Sequence, residues 1–126
     1  ISINQIFEKY GEEYFRKIES DILNQTIKQE NVIISSGGGI VCKETNRNLI
    51  KSSCFAIWLF ASPNTLSKRD NANKPLLKHG NQELIYQKLL QKRMSHYAEC
   101  ADIMTITENK NISETTNLLF NEIQLI

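Results

Sequence analysis

The 126 residues are 40% hydrophobic and 23% charged, which is material for a single globular domain with a core and excludes a disordered tail. A net charge of +1 gives no overall pull toward nucleic acid or an anionic membrane surface. The longest apolar run, residues 54–61, is too short for a membrane span, and the charged, amphipathic residues 1–29 do not read as a signal peptide.

In chain order, Ser2-Ile3-Asn4-Gln5 reads as a capping box, a hydroxyl at the cap with Gln at the third helical position. It predicts a short helix through Ile6, Phe7 and Tyr10 that Gly11 ends or kinks. A second helix is expected over residues 12–29, with Phe15, Ile18, Ile22, Leu23 and Thr26 as its apolar stripe. Residues 31–36 read as a buried strand, because Val32-Ile33-Ile34 is β-branched and stops abruptly at Ser35-Ser36-Gly37-Gly38-Gly39. A short helix follows over 44–51. Residues 54–60 are apolar throughout, the pattern of a central parallel strand buried on both faces. Ser62-Pro63 opens another helix, with Ser as cap and Pro at the first position. Residues 70–80 are polar and irregular, the profile of a lid-like loop and of the most mobile internal segment. Asn81 caps a long helix to about residue 99, with Leu84, Leu90, Met94 and Tyr97 turned inward. A last strand is expected over 102–107, and Ser113 caps a final helix.

Strands alternating with helices imply a parallel sheet covered on both sides. Three strands make a thin sheet, so the pattern is that of an α/β domain whose first strands are missing. In such sheets ligands sit at the carboxyl ends of the strands. The glycine triplet occupies that place, and its bare N–H groups can meet a hydroxyl or phosphate oxygen. Arg16 and Arg93 are each ordinary solvated or salt-bridged residues when taken alone, Arg16 with Glu19 or Glu12. Converging on one pocket they would form a forked clamp for a carboxylate. Lys74, in Lys74-Pro75-Leu76-Leu77, could present a charge to a phosphate, although a solvated lysine is the commoner case. His79 and His96 have no partner at a readable spacing and receive no catalytic role. Cys42, Cys54 and Cys100 form no CxxC pair, and no carboxylate cluster suggests a metal site.

Taken together these motifs resemble shikimate kinase. The residues that carry the resemblance are Ser2-Ile3, Ile6-Phe7, Gly11-Glu12, Phe15-Arg16 and Glu19, then Val32 through Gly39 with Ile40-Val41. Lys74-Pro75-Leu76-Leu77 then matches the family's Arg-Pro-Leu-Leu, and Arg93, Tyr97, Ala101 and Asp102 match its late helix. The order and spacing agree over essentially the whole chain, which makes the set far more specific than any one motif. The resemblance implies a P-loop NTPase fold of the nucleoside monophosphate kinase type, a parallel sheet with helices on both faces. It implies transfer of the γ-phosphoryl group of ATP to the 3-hydroxyl of shikimate, with Mg²⁺, by a cytoplasmic monomer of aromatic amino-acid biosynthesis that engages neither nucleic acid nor membrane. By resemblance Arg16 and Arg93 bind the shikimate carboxylate, and Gly37, Gly38 and Gly39 contact its hydroxyls. Lys74 is the catalytic lid cation and also meets the phosphates, while Arg69 and Lys110 border the adenine. Residues 1–30 would be the substrate-binding helices and 70–80 the lid.

Two departures stand out. The sequence contains no G-x-x-x-x-G-K-[ST], the loop that supplies backbone donors, a lysine and a Mg²⁺ ligand to the phosphates. Lys74 replaces an arginine and loses its forked donors. With Ile1 as first residue, the expectation is the carboxyl-terminal portion of such a kinase, a single domain over 1–126 without its P-loop unit and inactive by itself. The alternatives are a non-catalytic shikimate-binding remnant and another small-molecule P-loop kinase, against which Phe15-Arg16 with Glu19 and the Arg93–Tyr97 pairing argue.

Overall fold

The computed structural model describes residues 1–69 and 81–126. Its first element is α1 (Ile3–Thr26). The capping box forms as the sequence requires: Ser2 Oγ accepts from the Gln5 N–H, and Gln5 Oε1 accepts from the Ser2 N–H at 2.7 Å. Gly11, at φ 87° and ψ 172°, breaks the helical path and kinks α1. Its left-handed φ is open to glycine and strained for other residues. The kink separates the capped first segment from residues 12–26, which carry Arg16, Glu19 and the buried Leu23.

The strand expected over residues 31–36 does not form, and the segment is irregular. A strand exists through hydrogen bonds to a neighbour, and among the described residues none lies beside it. Val32, Ile33 and Ile34 are exposed, Ile33 completely. Instead the glycine triplet runs into a 3-10 helix, Gly38–Cys42, which the sequence did not announce. This turn buries Ile40 and Val41 against Leu23 of α1 and Cys100, the centre of the core. Helix α2 (Glu44–Ser53) follows and locks the turn. Buried Asn46 donates from Nδ2 to the Ile40 carbonyl at 3.0 Å, and Arg47 Nη1 donates to the Val41 carbonyl at 2.8 Å.

Strand β1 (Ile57–Phe60), α3 (Pro63–Lys68), α4 (Gln82–Cys100) and β2 (Ile103–Ile106) make one βαβ unit, with β1 and β2 parallel. Ser62 caps α3 and Asn81 caps α4 by accepting from the Thr65 and Leu84 N–H groups. The final helix, α5 (Ile112–Gln124), is capped by Asn111 and not by Ser113. Asn111 and Glu114 form a full capping box, so two orphan donors are satisfied where Ser113 could have satisfied only one.

The sheet is two-stranded among the described residues, against three expected. The expectation that β1 is buried on both faces is also corrected. In-register partners share a face, so Ile57, Leu59, Ile103 and Thr105 line one side and Trp58, Phe60, Met104 and Ile106 the other. Each face is covered by halves. Tyr97 of α4 lies against Trp58, with ring centroids 5.5 Å apart, and Glu122 of α5 meets Thr105, which is 2% exposed. Leu59, at 57%, and Met104 and Ile106, at 49%, stay exposed. On α4 the inward residues are Tyr86 and Cys100, whereas Leu84 and Met94 face solvent. The lid expected over 70–80, with its mobility and with Lys74, lies outside the described residues.

Candidate functional site

The glycine triplet is the meeting point of three elements. Gly39 is buried, and a Cβ there would overlap the Arg16 guanidinium. At Gly38 a Cβ would sit 2.7 Å from the Tyr97 hydroxyl and 3.4 Å from Arg93 Nη1; at Gly37 it would be 3.7 Å from Glu19 Oε2. At Gly38 and Gly39 a side chain would run into the Tyr97 hydroxyl and the Arg16 guanidinium, so glycine serves there by lacking a Cβ and not by its φ. The structure therefore brings Arg16, Gly37, Gly38, Gly39 and Arg93 into one cluster, with the two arginines beside neighbouring residues of the turn.

The two arginines differ in their surroundings. Arg16 is pinned on α1: its Nη1 donates to Glu19 Oε1 at 2.9 Å and its Nη2 lies 3.5 Å from Glu12 Oε2. Its guanidinium also lies 5.3 Å from the centre of the Phe15 ring. Arg93 has no ion pair among the described residues, and its Nε is buried without a hydrogen-bond partner there. One face of the cluster thus offers oriented donors whose charge is already balanced, and the other a cation without an ion pair among the described residues. Tyr97, one helical turn after Arg93, donates its hydroxyl to the Gly38 carbonyl at 2.8 Å.

Arg69 and Lys110 do not join this cluster. They gather at the carboxyl end of β2, where Arg69 Nη2 donates to Thr107 Oγ1 at 3.3 Å and Lys110 Nζ donates to the Ile106 carbonyl at 3.0 Å. Nearby the Ser62 N–H donates to the Glu108 carboxylate in a short hydrogen bond. Hydrogen bonds from Ser62, chiefly its side chain, hold the Glu108 carboxyl below the usual carboxylate range, with Thr65 and Arg69 contributing in the same direction. Among the described residues no three His, Cys, Asp or Glu side chains are grouped so as to hold a metal ion, and no helix is long and apolar enough to cross a membrane.

Sequence reasoning missed Asn46 and Arg47, which fasten the turn from behind. The signal was their place near the start of the helix that follows the triplet, within reach of the carbonyls of Ile40, Val41 and Cys42.

The family model for shikimate kinase matches residues 1–124. The chain belongs to the shikimate kinase family. It is 37% identical over 121 residues to the shikimate kinase of Dictyoglomus turgidum, covering 91% of this chain and 69% of that protein. To the shikimate kinase of Caldicellulosiruptor saccharolyticus it is 39% identical over 102 residues, covering 79% of this chain and 59% of that protein. The shikimate kinase of Acinetobacter baumannii in complex with shikimate superposes with a TM-score of 0.85 at 29% identity, over 98% of this chain and 69% of that one. The chain thus spans about three fifths to two thirds of the length of these relatives. Members of this family are phosphotransferases, and the helix-rich α/β fold with its parallel pair is theirs.

Proposed function

We propose that this chain carries the shikimate-binding half of a kinase that transfers the γ-phosphoryl group of ATP to the 3-hydroxyl of shikimate. The observation that carries the proposal is the placement of the Arg16 and Arg93 guanidiniums against adjacent residues of a single glycine turn. A carboxylate arriving there meets planar, forked donors, which recognise its two oxygens together. Arg93 supplies most of the attraction, because Glu12 and Glu19 already balance Arg16. Arg16 supplies direction, since its two carboxylate partners restrict its rotamers before the ligand arrives. The hydroxyls of the ring then lie over Gly37, Gly38 and Gly39, where the absence of side chains permits close approach. The relative solved with shikimate supports this ligand class.

Residues 1–30 form the substrate-binding helices in this proposal, and Lys74 serves as the lid cation. Arg69 and Lys110 border the adenine at the carboxyl end of β2. The described residues do not fit Mg²⁺, since they group no donor set for it. The role of these residues is to bind and orient the acceptor. The proposed setting is a cytoplasmic monomer in aromatic amino-acid biosynthesis, without nucleic-acid or membrane partners.

Calorimetric titration of the 126-residue chain with shikimate, followed by an assay for ATP-dependent phosphorylation, tests the proposal. Weak binding that Arg93→Ala weakens further, without turnover, is expected. The triphosphate finds no G-x-x-x-x-G-K-[ST] among the 126 residues, and phosphoryl transfer depends on such positioning and charge stabilisation. Absence of shikimate binding by a folded chain would remove the site assignment. Turnover in a preparation free of host kinase would overturn the expectation of inactivity.

A further inference from the structure

We propose that Tyr97 is a positioning residue that sets the glycine turn in its ligand-ready shape and ties it to the sheet. Three contacts carry this. Its hydroxyl donates to the Gly38 carbonyl at 2.8 Å, across 59 residues of sequence. A Cβ at Gly38 would come within 2.7 Å of the same oxygen, so the turn and the phenol fit only while position 38 lacks a side chain. Its ring lies on Trp58 of β1, with centroids 5.5 Å apart and planes 36° from parallel. The phenol therefore bridges the centre of β1 to the first residue of the 3-10 helix.

The effect on the site is one of orientation. Among the described residues the segment before the turn has no strand partner, and Val32, Ile33 and Ile34 are exposed, so none of them fixes the peptide planes of Gly37 and Gly38 from upstream. Asn46 and Arg47 hold the carbonyls of Ile40, Val41 and Cys42, further along. Tyr97 alone among these side chains grips the Gly38 carbonyl. Turning that carbonyl toward α4 directs the following N–H away from α4. One helical turn earlier on α4, Arg93 is carried to the same residue of the turn. Arginine and turn are thus positioned by one rigid segment.

The inference rests on the proposed shikimate site, and Tyr97→Phe tests it with two readouts. Phenylalanine keeps the stacking on Trp58 and removes only the hydroxyl. Amide exchange followed by NMR on the unliganded chain reports the turn through Ile40, whose N–H donates to the Gly37 carbonyl at 3.3 Å. Titration with shikimate reports the site. Faster exchange at Ile40 is expected, with Leu23 and Cys100 amides unchanged, together with roughly 3- to 10-fold weaker shikimate binding, the worth of one neutral hydrogen bond. Unchanged exchange at the turn would overturn the proposal, even with weakened binding, since the hydroxyl would then be touching ligand directly. Faster exchange with unchanged affinity would overturn it as well. If the unsubstituted chain fails to bind shikimate, the functional reading falls, and the exchange comparison alone then decides whether Tyr97 sets the turn. Gly38→Ala, which pushes on the same hydroxyl from the other side, should reproduce the Tyr97→Phe exchange pattern.

Discussion

The glycine turn and the two-stranded sheet are built on opposite terms. The turn opens on glycines without side chains and then buries Ile40 and Val41 in the core. It is held from every side, by Leu23 below, Asn46 and Arg47 behind, Tyr97 at its start and Arg16 against Gly39. The sheet is apolar and made of residues that favour strands, yet its faces are covered only by halves, leaving Leu59, Met104 and Ile106 largely in water. Apolar content by itself therefore does not locate the better-anchored part of this domain. What sets the turn apart is the number of independent anchors that converge on it.

The sharpest way to break this contrast is a pair of leucine truncations. Leu23 is 5% exposed and packs on Ile40, Val41 and Cys100, so Leu23→Ala removes the floor beneath the turn. It should cost about 2–5 kcal/mol, the range for a leucine truncated in a packed core. Leu59→Ala, at a position 57% exposed, should change stability by about 0.5 kcal/mol or less. Urea denaturation of the two variants measures both, and equal losses would mean that the sheet is as well supported as the turn.

The next effect is on affinity. Arg93→Ala should weaken shikimate binding by about 10- to 100-fold, the worth of hydrogen bonds to a charged group. Arg16→Ala should cost a comparable amount, because it removes forked donors and also leaves the Glu12 and Glu19 carboxylates unpaired beside the incoming anion. Gly39→Ala separates site from scaffold. Its methyl meets the flexible end of Arg16, not backbone, so the guanidinium is displaced while the fold survives. Titration with shikimate should show Gly39→Ala matching Arg16→Ala in affinity, with a melting temperature close to that of the unsubstituted chain.

Much of this was legible in the residues. The capping box at Ser2 and Gln5, the break at Gly11 and the caps at Ser62 and Asn81 all act locally, so local sequence suffices for them. The convergence of Arg16 and Arg93 on the triplet was reached only through resemblance, because nothing in spacing alone ties α1 to α4. The misreadings share one cause. Residues 32–34 have strand chemistry, and residues 57–60 the chemistry of a doubly buried strand. Pairing and cover are supplied by other segments, and β-propensity records only fitness for such a setting. Similarly, Asn111 outcompeted Ser113 because Glu114 completes the box from the right distance.

The smallest expected effect lies where α2 meets α4, behind the turn. Lys51 Nζ donates to Glu99 Oε2 at 3.0 Å, and Arg47 Nε lies 3.5 Å from the same oxygen. The hydrogen bond from Lys51 is the main cause holding the Glu99 carboxyl below its ordinary value of 4.5; desolvation opposes it, and the charges of Lys51, Arg47 and His96 add to it. A depressed carboxyl contributes stability that is present above its unfolded pKa and is lost as pH falls through the lower folded value. Glu99→Gln should therefore lower the melting temperature slightly at pH 7. The difference from the unsubstituted chain should shrink as pH drops below 4.5 and vanish in stronger acid. The pair is partly exposed, so salt should shrink the difference at pH 7 too. Because Arg47 also holds the Val41 carbonyl, freeing it from Glu99 leaves the turn's rear anchor in place. Shikimate affinity should then be unchanged in Glu99→Gln, whereas a loss of affinity would show that the rigidity of the turn extends to the outer face of α4.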